Sequence, residues 1–266
     1  MGLVFTGLTA KALQPQAIVN LPSSIKTIIS EVEEASGMPV DVRGDQSLKT
    51  LAKISPARGQ AAFHSLIYRP NAVGLNYVIA FQLGFLVRNF RCPEEKRYQV
   101  VAEDGHFKQA MKDFDLERFP PTVAKQLFDS LIVQLRSMSV GDRVDQWIID
   151  EFPEFIPEQE ASVKGQLKEN QKTLAPEIQK AFPGKILKAN LAMSAAYARV
   201  WSGRLNDARY GLAYKAAGHG EIADKLVKCW SRIPASPESD KDLIESWAKE
   251  LALDPYFVFQ QQSTHE

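Results

Sequence analysis

The sequence predicts a predominantly helical chain that opens with a small α+β unit and closes with an all-α region. Three observations predict it. Two short runs rich in β-prone residues, Val40–Arg43 and Phe63–Tyr68, lie between helical patterns before residue 70. An apolar run from Tyr77 to Val87 follows, too short to span a bilayer and long enough for a core helix. Beyond about residue 115, apolar residues recur at helical spacing, punctuated by prolines. The chain therefore divides into an N-terminal arm (1–20), an α+β unit (21–115) and an all-α region (116–266).

Each element has a local reason. Pro22-Ser23-Ser24 opens a helix, and Ile25, Ile28, Ile29 and Val32 give it one apolar face. Ser36-Gly37 stops it, with Pro39 behind. Val40 and Val42 alternate with Asp41 and Arg43, the period of a half-buried strand. Gly44, Asp45, Pro56 and Gly59 mark a loop, and Phe63, Leu66, Ile67 and Tyr68 form a second strand ended by Arg69-Pro70-Asn71. A buried helix spans roughly 75–90, between Gly74 and Cys92-Pro93. Pro120-Pro121-Thr122 starts a helix that runs to about Arg136. Val140-Gly141-Asp142 reads as a new start, with Val144, Trp147, Ile148 and Ile149 on its apolar side and Pro153 and Pro157 at its end. The acidic stretch Asp145–Glu160 reads as surface, and 158–181 as a long polar helix interrupted near Pro176. Residues 186–201 carry alanines that let another helix come close, and 221–231 and 240–251 are two further helices. No repeat of fixed period stands out.

Composition narrows the function. Hydrophobic residues make up 45% of 266, which supports a sizeable core. Acidic and basic residues number 32 each, so no overall field steers the chain toward nucleic acid or an anionic membrane. Cys92 and Cys229 lie far apart, form no metal-ligand spacing and suit a reducing compartment. Met1–Ala12 lacks the positive charge that begins a secretory signal. The expectation is a cytoplasmic protein with no membrane segment and no cofactor.

The sharpest motif is Phe81-Gln82-Leu83-Gly84-Phe85 inside the apolar helix. Histidine at 81 and 85 with glutamate at 82 would make it the zinc-peptidase motif, in which two imidazoles one turn apart share a metal and the carboxylate is the general base. Phenylalanine offers no lone pair, and glutamine takes no proton from water. Two readings stand side by side. One is an ordinary core helix with an i,i+4 aromatic pair. The other is a lapsed catalytic helix, with Gln82 in the inherited polar surroundings of the missing carboxylate and two rings filling the metal cavity.

The second reading gains from element order. Helix, short strand, loop, strand and then a buried helix, with Tyr68-Arg69-Pro70, Tyr77-Val78-Ile79-Ala80, Gly84 and Arg88, resembles the ImmA/IrrE-type zinc metallopeptidases of bacteria and their mobile elements. The resemblance covers roughly residues 20–92 and implies a degenerate zincin-like fold over the α+β unit. It does not carry the activity, since 81, 82 and 85 all depart from the family pattern. The family's third ligand has only Glu103 and His106 as nearby candidates.

The remaining candidates are sparser. His64, His106, His219 and His265 are unpaired at ligand spacing, so no metal site is expected. No nucleophile elbow, Walker A or dinucleotide fingerprint is present, and Gly218-His219-Gly220 is too short to cradle a phosphate. Arg88, Arg91, Lys96 and Arg97 form one basic cluster; Arg199, Arg204 and Arg209, near Trp201 and Tyr210, form another. The leading expectation is a catalytically inactive, regulatory protein that binds another protein, with Arg88, Arg91, Arg97, His64 and His106 as candidate binding residues. Its rivals are a hydrolase with a relocated site at His64, Glu103 or His106, and a nucleic-acid-associated regulator using the arginine clusters.

Overall fold

The computed structural model of the chain describes residues 21–262; the expected arm over 1–20 and His265 lie outside the described residues. The chain begins with helix α1 (Ser23–Ser36), which buries Ile25, Ile28 and Val32. Gly37 ends it at φ 68°, where a side chain would strain the backbone. Strands β1 (Val40–Gly44), β2 (Ala52–Ser55) and β3 (His64–Tyr68) then form a sheet in the order β1-β3-β2. β1 runs parallel to β3 with Val42 opposite Leu66, and β2 runs antiparallel to β3 with Ile54 opposite Leu66. The guanidinium of Arg69 donates to the carbonyls of Leu48 and Lys49, fixing the loop before β2.

Helix α2 (Leu75–Arg91) packs on α1 and against β2 and β3, the expected buried helix on a small sheet. Strand β4 (Tyr98–Val101) and helix α3 (Asp104–Asp113) follow. The rest is helical: α4 (Pro121–Glu151), α5 (Ile156–Gln171), α6 (Pro176–Ala181), α7 (Gly184–Arg204), α8 (Arg209–Ala216), α9 (Gly220–Arg232) and α10 (Asp240–Leu251). A last strand, β5 (Val258–Gln261), returns to pair antiparallel with β4. The fold is predominantly helical with small sheets, as the sequence predicts. No helix among the described residues is long and apolar enough to cross a membrane.

Three expectations are corrected. The loop before Phe63 contains β2, whose alternation is only four residues long. β4 and β5 lie where helix or no structure was expected; each is four residues, and each exists only through the other. The break expected at Val140-Gly141-Asp142 is absent, and α4 runs unbroken through it. Gly141 is there because the Phe81 ring lies against it: a Cβ would stand 3.3 Å from the ring's Cζ. A mid-helix glycine costs about 1 kcal/mol relative to alanine, and close packing of α2 on α4 offsets it.

The centre of the molecule is this α2–α4 contact. Gly84 on α2 is buried, and a Cβ added there would meet Val144 Cγ1 at 2.5 Å and Trp147 Cζ3 at 3.1 Å. Both neighbours are core side chains, so neither can give way cheaply. Gly84→Ala is therefore expected to destabilise the protein by about 1–3 kcal/mol despite alanine's better helix propensity. Gly165 is the matched control, because a Cβ there meets nothing within 4 Å. Gly165→Ala is expected to stabilise by about 0.5–1 kcal/mol. Urea unfolding of the two variants checks the opposite signs, and equal effects would remove the close approach as the reason for Gly84.

Candidate functional site

One stripe of α2 carries Tyr77, Phe81, Phe85 and Arg88, spaced three or four apart. The stripe runs down α4 in the opposite direction. The Tyr77 hydroxyl donates to Asp145 Oδ1 at 2.8 Å, Phe81 covers Gly141, and Phe85 shares a pocket with Val140 and Arg136. The Phe81 and Phe85 rings meet edge-on with centroids 5.3 Å apart. The face on which a metal would be bound is thus a helix–helix seam, with aromatic packing in its middle and polar groups at both ends.

Gln82 stands off this seam. It is only partly buried and makes no hydrogen bond among the described residues, so the polar surroundings expected for it are not there. The amide avoids the desolvation penalty simply by reaching the surface.

The N-terminal end of the seam is a buried acid network. Asp145 is fully buried, as is Gln159 nearly so, which corrects the reading of Asp145–Glu160 as surface. Gln159 Nε2 donates to Asp145 Oδ1 at 3.0 Å and to the Asp145 carbonyl at 3.2 Å. No cation pairs directly with Asp145, and its second oxygen has no partner among the described residues. Burial therefore pushes the Asp145 carboxyl up to about 7, although Tyr77 and Gln159 donate to it. Glu158, the residue before Gln159, reaches back to α2. Its carboxylate accepts from the backbone N–H groups of Asn76 at 2.8 Å and Tyr77 at 3.2 Å, and from Asn76 Nδ2 at 2.8 Å. A carboxylate from α5 thus caps the N-terminus of α2, where free N–H groups and the helix dipole favour negative charge.

The C-terminal end of the seam is cationic. Arg88 donates from Nε and Nη2 to the two oxygens of Asp240 at 2.8 and 2.7 Å. Arg143 on α4, 5% exposed, donates to the same carboxylate at 2.6 Å. Arg97 turns back over the end of α2 and donates to the carbonyls of Cys92 at 2.8 Å and Phe90 at 3.1 Å. Arg91 faces the other way, pairing with Glu31 at 2.7 Å and Glu151 at 3.3 Å. Of the expected basic cluster, Arg88 and Arg97 therefore line one pocket and Arg91 does not.

The other candidates have structural roles. His64 is buried on β3 with its ring 5.2 Å from Phe90, and its Nδ1 accepts the Ala57 N–H at 2.8 Å. Desolvation lowers its pKa, so the ring is neutral near pH 7. His106 Nδ1 accepts the Glu103 N–H at 3.0 Å, so those two residues cap α3. No group of three or more potential metal ligands assembles among the described residues. The second arginine cluster is an ion-paired face: Arg199 with Asp224 at 2.5 Å, Arg204 with Asp142 at 2.6 Å and Arg209 with Asp207 at 2.6 Å. Asp145, Glu158, Arg136 and Asp240 were missed because their roles depend on which helices meet. Of the seam, only the one-turn spacing of Phe81 and Phe85 was read from the sequence.

The acid network gives a pH-dependent expectation. Asp145 ionises near 3.8 in the unfolded chain and at about 7 in the folded one. The folded state therefore holds the extra proton between these values, and stability contributed by the neutral carboxyl falls as pH rises from about 4 to about 7. Asp145→Asn keeps an acceptor for Tyr77 and Gln159 without ionising. Its effect on stability relative to the parent should be about 2–3 kcal/mol more favourable at pH 8 than at pH 5. Denaturant unfolding at the two pH values checks it; a difference that does not change with pH would mean that Asp145 is charged at both.

Compared with protein-family models, curated proteins and solved structures, the chain matches none of them.

Proposed function

We propose that the protein acts by binding rather than by catalysis: a cytoplasmic, zincin-like chain whose reactive helix has become a packing element, serving a regulatory role toward another protein. The observation that carries this reading is the closure of the 81–85 turn against α4. Gly84 admits Val144 and Trp147 and Gly141 admits Phe81, so apolar side chains of the two helices fill the centre of the seam. The element order from α1 to α2 supports the resemblance, and the side chains at 81, 82 and 85 oppose its chemistry. The relocated hydrolase is disfavoured by the separate structural engagements of His64 and the Glu103–His106 pair.

The test is metal binding before and after restoration. The purified protein is expected to carry no stoichiometric zinc and to keep its melting temperature in chelator. The combined substitution Phe81→His, Gln82→Glu and Phe85→His places two imidazoles one turn apart on the α4 side of α2. It should bind zinc or cobalt measurably and be less stable without metal, by about 2–4 kcal/mol for each aromatic ring replaced. Cobalt absorption and thermal melts report both. A variant that unfolds and that metal does not rescue would leave the turn as an ordinary core helix.

A further inference from the structure

The cationic end of the α2–α4 seam opens into a cavity of about 60 Å³ between α2, α4, the start of α10 and the β4–β5 ribbon. On the same measure one water needs about 10–15 Å³, so the cavity admits several waters or one tetrahedral oxyanion. Its walls present five cationic side chains and two carboxylates, an excess of three positive charges in a chain whose formal charge is zero.

The charges are unevenly matched. Asp240 is fully engaged by Arg88 and by Arg143 behind it. Glu238 makes only a 3.7 Å contact with Lys96, and both are exposed. Lys241 rests over the rings of Tyr98 at 4.2 Å and Phe259 at 5.4 Å, without a carboxylate. Arg136 is the telling residue. It lines the cavity from α4, is partly buried, and has no acidic partner or hydrogen-bond acceptor for its guanidinium among the described residues. The other charges it feels are Asp240, already shared by two arginines, and Arg58, which repels it. A partly buried guanidinium is ordinarily paired, and an anion held in the cavity would pair it.

We propose that this cavity binds the phosphate group of a small molecule, with Arg136 as the residue that grips it and Lys241 and Arg97 completing the positive wall. A guanidinium fork matches two phosphate oxygens, which makes arginine suited to this anion. Phe85, Tyr98 and Phe259 form the apolar part of the wall, and with room for the anion alone the rest of the molecule would extend out of the cavity. The proposal is independent of whether α2 descends from a catalytic helix.

The experiment is titration calorimetry and thermal melting of the full chain with inorganic phosphate, with a phosphomonoester such as ribose 5-phosphate, and with chloride at matched ionic strength. Phosphate or the phosphomonoester is expected to raise the melting temperature where chloride does not, because a ligand held only by the folded state stabilises it. Tighter binding of the monoester would assign the source as an organic phosphate, and equal binding would assign free phosphate; both support the site. Arg136→Gln should weaken binding roughly tenfold or more, as loss of a charge-assisted pair does. Lys241→Gln, at the aromatic wall, should weaken it less and serves if Arg136→Gln fails to fold. Arg199→Gln, in the ion-paired face, should leave binding unchanged. The proposal is overturned if phosphate acts no better than chloride, if Arg199→Gln weakens binding as much as the cavity variants, or if an oligonucleotide binds and saturating phosphate does not compete with it.

Discussion

The close approach of α2 to α4 is the constraint on which the rest of the molecule depends. Two glycines, Gly84 and Gly141, let the helices meet at side-chain-free points, so Val144 and Trp147 lie over one helix and Phe81 over the other. Everything around the seam is then positioned by it. Glu158 reaches the N-terminus of α2 only because α5 starts just after α4 ends. Asp240 meets Arg88 and Arg143 together only because those residues sit side by side across the seam. The sheet β1-β3-β2 closes the far side of α2, and the β4–β5 ribbon closes its C-terminal end.

Local chemistry made part of this legible. Helix α1, strands β1 and β3, and helix α2 follow from apolar spacing and turn residues, and each was readable. Strand β2, with four residues, and the β4–β5 pair are stabilised by a partner distant in sequence, which no local pattern reports. Gly141 misled for a related reason. Glycine within a helical pattern weakens it locally, and only the ring of Phe81 across the seam explains its presence. The same holds at the site. The spacing of Phe81 and Phe85 showed that they share a face of a buried helix, but not that Tyr77 and Arg88 extend it along α4. The acidic run Asp145–Glu160 looked solvated by composition, whereas the helices bury Asp145 and Gln159 and turn Glu158 into a cap.

The arginines illustrate why clusters in sequence are weak guides to binding surfaces. Arg88, Arg91 and Arg97 are neighbours in the chain yet serve three different tasks: a bidentate clamp on Asp240, a surface pair with Glu31 and Glu151, and a cap on α2 carbonyls. Arg199, Arg204 and Arg209 each meet a carboxylate. Arg136, whose guanidinium has neither an acidic partner nor a hydrogen-bond acceptor among the described residues, belongs to neither cluster and lies in the middle of a long amphipathic helix. A charge is informative through what fails to neutralise it, and that is a property of the folded chain.

Asp145 and Asp240 bring the two ends of the seam into a single comparison. Both are aspartates beside α2, and both accept strong hydrogen bonds. Asp145 accepts them from a neutral hydroxyl and a neutral amide in a fully buried place, so the proton returns to it near neutral pH. Asp240 accepts them from two guanidinium groups and heads a helix, where negative charge is favoured. One end of the seam therefore responds to pH, and the other is clamped by charge-assisted hydrogen bonds. Since both ends press on the same two helices, protonation of Asp145 alters how firmly α2 is held on α4 without changing the charge of the cationic cavity. Stability and anion affinity are expected to vary independently in this protein, because the groups that control them lie at opposite ends of one helix pair.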